Sequence, residues 1–282
     1  MNHRPASRKI LSLYIAMPKS TKNRPGKASA PASGALTLFV IPGLPEIAEG
    51  DDLPKFLVEA SRNAGTRFVS GDVIVIAQKI VSKSEGRTVL LSTVKPSAEA
   101  ISTAQTVQND PRLVEVVLRE SRRIVRKGPH ALIVETHQGF VCANAGVDRS
   151  NVPGDDVVTL LPSDPDRSAR ILSAALCKRT GKRVAVIISD TFGRPWRLGL
   201  TNVAIGAAGV PPLLDLRGAR DRSGKPLHAT ILAVADELAA AAGLLMGKAS
   251  GTPVVVIRGY RYRPVQQPAA SIIRPADEDL FR

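Results

Sequence analysis

The chain has 282 residues, of which 44% are hydrophobic and 23% are charged, which is typical of a globular protein with one large domain or two modest ones. Half of its net charge of +14 lies in residues 1–35, which contain seven basic residues and no acidic residue. The rest of the chain is therefore only moderately basic, which favours small anionic substrates over nucleic acid as its ligands. Two cysteines exclude a disulfide framework and indicate a cytoplasmic protein, and no run of ~20 apolar residues predicts a membrane span.

The first predicted elements follow residues 1–35, a basic lead-in whose Pro-, Ser- and Lys-rich composition is typical of disorder. Residues 36–41 predict a strand that ends at Pro42-Gly43. Two acidic residues then favour the amino end of a helix whose apolar positions recur at helical spacing, namely Leu53, Phe56, Leu57 and Ala60. The continuous apolar run at residues 73–77 predicts a strand that is buried on both faces.

Later elements are predicted by caps and by apolar runs. Asp110-Pro111 begins a helix whose apolar face continues through Ile124 to about Arg126. Asp164-Pro165 begins a second helix, which Gly181 ends. The remaining predicted elements are strands at residues 131–135, 157–161, 183–189 and 253–258, and a deeply buried Ala-rich helix at residues 232–246. Strands and helices intermingle, so the predicted class is α+β, with mixed sheets and packed helices.

Two lysines stand four residues apart in the segment 78–86, directly after the strand that ends at Ala77. Lys79 and Lys83 can reach the same anion, and a phosphate group suits such a pair. The alternative is a solvated lysine loop that binds nothing.

Small residues and oxygen-bearing side chains mix in the segment 142–151. Asp148 offers a hard oxygen to a divalent cation, and Asn151 offers an amide to a base or a phosphate. An Asx-type turn that merely joins two strands explains the same residues equally well.

An acid and a hydroxyl stand at the predicted carboxyl end of a buried strand in the segment 187–197. Asp190 followed by Thr191 is a common arrangement for holding Mg²⁺ or Mn²⁺. Arg194 and Arg197 are suited to a carboxylate or a transferring phosphate. Trp196, the only tryptophan, is either a stacking surface or a core residue.

The glycine-rich segment 243–253 resembles a Walker A loop only superficially, because its glycine spacing is one residue short and Lys248 is followed by Ala249. A P-loop is therefore excluded, while a glycine-rich turn beside a nucleotide is retained. Together the four segments predict a site for a divalent cation and an anionic phosphate substrate, without naming the reaction.

In this order the four segments resemble the coenzyme F420-0:L-glutamate ligase family, over nearly the whole chain after the lead-in. The motifs that carry the resemblance are IPGLP at residues 41–45, SKSEG at residues 82–86, AGVDRSNV at residues 145–152, DTFGRPWR at residues 190–197 and VIRG at residues 256–259. The carboxyl end, residues 273–281, resembles the bacterial single-domain type.

The resemblance implies a GTP-dependent ligase that adds L-glutamate, and then further γ-linked glutamates, to F420-0 through an acyl-phosphate intermediate. It implies two divalent cations, Mg²⁺ or Mn²⁺, with a monovalent ion such as K⁺ assisting, and no FMN. It also implies a ligase domain at residues 36–282 with a two-subdomain fold, an intertwined homodimer and a cytoplasmic location.

The resemblance also assigns the site residues. The nucleotide is expected at Leu44, Pro45, Glu46, Ile47, Gln78, Lys79, Lys83, Asn151, Met246, Gly247, Lys248, Ala249, Ser250, Gly251, Thr252 and Pro253. One cation is expected on Asp148 and Asp190, and the second beside Thr191. Lys83, Asp190, Arg194 and Arg197 are expected to act in catalysis.

Lys248 departs from the pattern of archaeal family members, which carry Glu or Gln at this position as an aid to holding the second cation. A protonated lysine cannot be a ligand, so either another ligand serves here or the lysine's own charge faces the phosphate.

Two rival functions stay open. An enzyme of the same scaffold with another carboxylate acceptor would keep these motifs unchanged. A nucleic-acid-binding protein would use the basic residues 1–35, although nucleic acid is not an expected partner.

Overall fold

The computed structural model describes residues 34–149, 156–247 and 250–280. Its α-helices are α1 (Leu53–Asn63), α2 (Gln78–Ser84), α3 (Ala98–Val107), α4 (Pro111–Arg119), α5 (Pro165–Thr180) and α6 (Val234–Met246). Its strands are β1 (Thr37–Val40), β2 (Val73–Ala77), β3 (Thr88–Leu90), β4 (Ser121–Gly128), β5 (Ala131–Thr136), β6 (Val141–Ala143), β7 (Val157–Thr159), β8 (Ala185–Arg194), β9 (Arg197–Ala208), β10 (Leu214–Asp215), β11 (Ile231–Leu232) and β12 (Val254–Arg258). None of the described helices is both long and apolar enough to cross a membrane.

A five-stranded mixed sheet with the order β1-β12-β2-β8-β9 lies at the centre, and only β2 and β8 run parallel in it. Successive residues of a strand point to opposite faces, so β2 buries Ile74 and Ile76 on one face and Val73 and Val75 on the other. The first face packs against α1 and α5, and the second packs against α6. This double cover explains the continuous apolar run that predicts β2.

The segment between residues 88 and 160 has apolar clusters of its own. The sheet β4-β5-β6 packs against α3 and α4, and the pair β3-β7 packs around Leu91 and Leu113. Val147 contacts both clusters, so the turn that carries Asp148 is anchored in this part of the fold.

The α+β class is confirmed at the level of mixed helices and sheets, and capping residues mark several helix ends as predicted. The Asp52 side chain accepts a hydrogen bond from the backbone of Lys55 at the start of α1, and Asp164 does the same for α5. Gly181 ends α5 in the left-handed conformation at φ 69°. Each of these signals acts within one helical turn.

The predicted helix from Pro111 to about Arg126 is wrong in its second half. The helix α4 ends at Arg119, and Ile124 lies in β4, which pairs with β5. Arg123 pairs with Glu135 of β5 across the strands and forms an ion pair with it, and Arg122 comes within 3.9 Å of the same carboxylate. The strand pairing therefore overrides the apolar periodicity of this segment.

Strand β8 is longer than predicted, because it continues beyond Ser189 to Arg194 and turns into β9, where no strand is predicted. Trp196 stands in that turn with φ 59° and an 80% exposed side chain, so its interpretation as a core residue is wrong. The helix α6 is also less buried than predicted, since it exposes 85% of Leu244 on the face away from the sheet.

Candidate active site

A cavity of about 770 Å³ lies where the carboxyl ends of β2 and of the parallel part of β8 meet the loop after β1 and the end of α6. Most of the predicted site residues line it, namely Leu44, Pro45, Glu46, Ile47, Gln78, Lys79, Lys83, Asp148, Asp190, Thr191, Met246, Gly247, Gly251, Thr252 and Pro253. Residues from five separate segments thus come together in one place.

Some predicted residues stand elsewhere. Arg194 and Arg197 lie at the exposed end of the β8–β9 hairpin and do not line the cavity. Ser250 is not in its lining either; its hydroxyl contacts the Met246 carbonyl and Thr252. The predictions for Asn151, Lys248 and Ala249 fall outside the described residues.

The segment after β2 is a helix and not the loop that one alternative predicts. Positions four apart in a helix share a face, so α2 presents Lys79 and Lys83 side by side to the cavity. Lys79 Nζ lies 2.8 Å from Asp148 Oδ2, and Lys83 forms an ion pair with Glu46. Lys83 is only 9% exposed, which is unusual for a lysine that serves solubility alone.

A tight left-handed turn carries Asp148 to the cavity. Asn144, Ala145 and Gly146 have φ values of 52°, 53° and 70°. Left-handed backbone costs a residue with a Cβ about 1–2 kcal/mol, and such strain concentrates at functional sites. The backbone of Asp148 is then fixed by two hydrogen bonds with Thr159, of 3.0 and 2.9 Å. The turn therefore does more than join two strands: it delivers a carboxylate to Lys79.

The neighbouring Asp190 and Thr191 reach the cavity from within β8, where they pair with Val203 and Asn202 of β9.

Burial, together with the nearby charge of Asp190, raises the pKa of the Cys142 thiol to about 12. Cys142 therefore stays protonated at neutral pH, and it is not suited to act as a nucleophile.

Two buried polar atoms beside the cavity have no hydrogen-bond partner among the described residues. They are Gln78 Nε2 and Ser189 Oγ, at the adjoining ends of β2 and β8. Most buried polar groups in proteins are hydrogen-bonded, so these two atoms are available to a water, an ion or a ligand in the cavity.

The glycine-rich segment lies at the carboxyl end of α6, not at the amino end of a helix. Gly247 has φ 57°, and the Thr252 hydroxyl donates to the Met246 carbonyl at 2.9 Å. A helix carboxyl end carries partial negative charge, so it does not attract phosphate by itself. The exclusion of a P-loop agrees with this geometry.

The donor set suits a hard divalent cation that a phosphate helps to hold. Within residues 34–149, 156–247 and 250–280, no group of three or more His, Cys, Asp or Glu side chains converges on a metal site. Asp148, Asp190 and Thr191 nevertheless bring two carboxylates and a hydroxyl to one cavity. Mg²⁺ characteristically takes one or two carboxylates and completes its shell with substrate phosphates and water. The ammonium group of Lys79 already provides Asp148 with a cationic partner.

Six cavity residues are missing from the predicted site, namely Ala77, Ile80, Ser189, Leu200, Asn202 and Gly243. Ser189 and Ala77 directly precede predicted residues, so their position at the strand ends is a usable signal. Gly243 opens the glycine-rich segment 243–253 but is not assigned to the site, and Asn202 has no such signal, because it belongs to no motif and reaches the cavity only through the folding of β9.

Comparison with known proteins identifies the family to which the chain is similar. A family model described as F420-0:gamma-glutamyl ligase matches residues 43–259, which include every residue that lines the cavity. The chain is 46% identical over 250 residues to the coenzyme F420:L-glutamate ligase of Methanothermobacter thermautotrophicus, covering 88% of this chain and 99% of that protein. It is 47% identical over 242 residues to the enzyme of the same name from Methanopyrus kandleri, covering 84% of this chain and 94% of the relative. The corresponding protein of Natronomonas pharaonis is 44% identical over 251 residues, covering 86% and 94%.

Proposed function

The chain belongs to the F420-0:gamma-glutamyl ligase family, and from this premise we propose that it is a GTP-dependent ligase that joins L-glutamate to coenzyme F420-0 in F420 biosynthesis. The single observation that carries the proposal is that Lys79 and Lys83 line one cavity together with Asp148 and Asp190, with Lys79 paired to Asp148. This combination suits a nucleotide triphosphate with its cations.

The proposed reaction proceeds through an acyl phosphate, because a carboxylate is a poor electrophile. An oxygen of the F420-0 carboxylate attacks the γ-phosphorus of GTP, and GDP leaves. The amine of glutamate then attacks the acyl carbon, loses a proton and releases inorganic phosphate with formation of the amide bond. Further rounds add γ-linked glutamates. Exclusion of water protects the acyl phosphate from hydrolysis.

Phosphoryl transfer needs positioning and neutralisation of charge more than covalent help from the protein. Asp148, Asp190 and Thr191 would hold the divalent cations, which would supply part of that neutralisation with K⁺ as an assisting ion. Lys79 and Lys83 supply the rest from one face of α2. Leu44, Pro45 and Ile47 form an apolar wall beside them, and Gln78 offers its amide group to the nucleotide.

Binding of the nucleotide and the cation involves an exchange of ionic partners. Lys79 pairs with Asp148 and Lys83 pairs with Glu46, so both lysines are already neutralised by carboxylates. If Asp148 held a cation, Lys79 would lose this partner, and its ammonium group would be available to pair with a phosphate. Each ligand therefore favours the binding of the other, because each provides a partner for a group that the other displaces.

The variant Lys79→Met separates the contribution of Lys79 to phosphate binding from its competition with a cation for Asp148. The affinity for GDP falls by roughly 10- to 100-fold, because a hydrogen bond to a charged group contributes about 1.5–3 kcal/mol. The affinity for Mn²⁺ measured without nucleotide rises, because Asp148 loses its competing ammonium group. Isothermal titration of each ligand measures both changes. Lys55→Met, on the exposed face of α1, is the matched control and changes neither affinity. An unaltered GDP affinity in Lys79→Met would remove Lys79 from the phosphate site.

The proposed working unit is an intertwined homodimer built on the β8–β9 hairpin. Leu198 is 99% exposed and Leu200 is 61% exposed at its end, and Trp196 stands beside them. Apolar side chains of this size grouped on one surface are typical of protein interfaces. Arg194 and Arg197 lie on the same hairpin, so they would belong to the proposed interface, and their catalytic role stays a prediction.

Leu198→Asp tests the dimer, because a carboxylate in an apolar interface is not compensated. The expected result is a shift from dimer to monomer in light scattering coupled to size exclusion, with the far-UV spectrum preserved. The control is Ile171→Asp on α5, which is also an exposed apolar residue and which leaves the dimer intact. Wild-type protein that elutes as a monomer would contradict the proposal directly.

The proposed ligase domain comprises residues 36–282, preceded by the basic lead-in at residues 1–35. The separate apolar clusters between residues 88 and 160 support a description as two subdomains. Both cysteines are free thiols, which supports a cytoplasmic location.

A mass-spectrometric ligation assay tests the proposed function. Purified protein is mixed with F420-0, L-glutamate, Mn²⁺ or Mg²⁺ and GTP, with ATP in a parallel reaction. A product that is heavier by glutamate units and that requires GTP is the expected result, and its mass gives the number of glutamates added. Folded protein that binds GTP and Mn²⁺ but forms no product would instead indicate another carboxylate acceptor on the same scaffold.

A further inference from the structure

Asn202 occupies a central position in the cavity, although it belongs to none of the motifs. It lies on β9 directly opposite Thr191 of β8. Its Oδ1 atom is 3.4 Å from Thr191 Oγ1, and its Nδ2 atom is 3.8 Å from Met246 Sδ. The side chain therefore connects the strand that carries Thr191 with the carboxyl end of α6.

These two contacts indicate the direction in which the Thr191 hydroxyl proton points. A thioether sulfur can only accept a hydrogen bond, so the amide nitrogen of Asn202 is the atom that faces Met246. The carbonyl oxygen then faces Thr191, and the Thr191 hydroxyl must donate to it. The contact is long for a hydroxyl donor, as polar contacts in unliganded sites often are. When the hydroxyl proton points at Asn202, the lone pairs of the Thr191 hydroxyl oxygen are available to bind a cation.

The packing of α6 holds Asn202 in this orientation. Gly243 lies within α6, where glycine costs about 1 kcal/mol relative to alanine. A Cβ on Gly243 would lie 2.8 Å from Asn202 Cγ and 2.9 Å from Asn202 Oδ1. A larger residue would thus force the Asn202 amide away from its present place, which gives a physical reason for a glycine inside this helix.

We propose that Asn202 is a positioning residue that, together with Gly243, turns the Thr191 hydroxyl so that its oxygen can bind a divalent cation. The inference rests on the proposed function, since it requires a cation beside Thr191. Asn202 acts through Thr191 and takes no part in bond making or breaking. Residues that orient a metal ligand typically change metal affinity by 10- to 100-fold when they are altered.

The first test measures Mn²⁺ binding by electron paramagnetic resonance in the presence of GDP, where no turnover occurs. Thr191→Val identifies the ion that the hydroxyl binds, because it lowers the affinity of that ion. Asn202→Ala is expected to lower the affinity of the same ion by about 10-fold. Asn202→Asp retains an acceptor for the Thr191 proton and adds negative charge, so it binds this ion at least as tightly as the wild type. A role in folding alone would not be rescued in this way.

The second test uses Gly243→Ala, which leaves Asn202 and Thr191 chemically intact. The three atoms nearest to the added methyl all belong to the Asn202 side chain, its Cβ at 3.2 Å included, so a melting curve is recorded beside the affinity to verify that the fold is kept. The affinity for the same Mn²⁺ ion is expected to fall, because the displaced amide no longer accepts the Thr191 proton. In an Asn202→Ala background the methyl meets no amide group, so Gly243→Ala should have no further effect.

The outcomes separate this inference from the proposed function. If Thr191→Val lowers Mn²⁺ affinity while Asn202→Ala and Gly243→Ala do not, the positioning role is overturned and the ligase proposal stands. If Thr191→Val itself leaves Mn²⁺ binding unchanged, both the cation beside Thr191 and the role of Asn202 are overturned. A loss in Asn202→Ala that Asn202→Asp does not restore would reduce Asn202 to a packing residue.

Discussion

Asp190→Asn is expected to lower the rate of glutamate ligation by roughly 1,000-fold, while the melting temperature of the protein changes little. The charge neutralisation that a bound cation supplies to phosphoryl transfer amounts to several kcal/mol, and each 1.4 kcal/mol corresponds to a tenfold change in rate. Asparagine has the size of aspartate but not its charge, so the packing of β8 against β9 is preserved. The measurement is the initial rate of product formation by mass spectrometry, together with a thermal unfolding curve.

The matched control for this prediction is Asp277→Asn, the same chemical change at an exposed carboxylate outside the cavity. It should leave both the rate and the melting temperature unchanged. Mn²⁺ titration of Asp190→Asn adds a direct readout, since one cation should bind more weakly. Ligation at a rate close to that of the wild type would refute a role for Asp190 as a metal ligand.

Arg258→Met is expected to lower the free energy of unfolding by about 3–5 kcal/mol, because it leaves the buried carboxylate of Asp72 without its charged partner. The Asp72 side chain is fully buried, and its two oxygens accept hydrogen bonds of 2.9 and 2.8 Å from the Arg258 guanidinium. The guanidinium also lies 5.0 Å over the Phe39 ring. Without Arg258, the carboxylate of Asp72 is left in the interior, and among the described residues its remaining hydrogen-bond donor is the backbone amide of Val69.

Urea unfolding of the wild type and of Arg258→Met at the same protein concentration measures this loss. Arg123→Met removes an exposed cation from its pair with Glu135, and it should cost no more than about 1 kcal/mol. Adding Asp72→Asn to Arg258→Met should recover part of the stability, because the buried charge is then gone. Equal losses in Arg258→Met and Arg123→Met would contradict the assignment of a buried pair.

Local signals in the sequence determine where several elements begin and end. Asp52, Asp164 and Gly181 mark the ends of α1 and α5, because a cap acts on the backbone groups of its own helical turn. The apolar run of β2 likewise identifies a strand that is covered on both faces. The family could also be identified from the sequence, because its motifs are short contiguous segments that keep their order.

The long-range pairings could not be predicted in the same way. The segment of β4 has an apolar pattern that also fits a helix, and only its pairing with β5 decides for a strand. The sequence predicts no strand beyond Ser189, and it is the pairing with β9 that makes the end of β8 a strand. Single-sequence patterns report the neighbours of a residue along the chain, and these structures depend on partners that are distant in sequence.

In the candidate site, too, some features follow from the sequence and others only from the tertiary structure. The sequence by itself determined which residue types are available for a cation and a phosphate, namely the acids, lysines and glycines of the four segments. Only the tertiary structure decided that Lys79 meets Asp148, and that Asn202 stands between Thr191 and α6. The reason is physical: a contact across a sheet depends on strand register and on how closely a helix approaches, and both are set by packing of the whole fold.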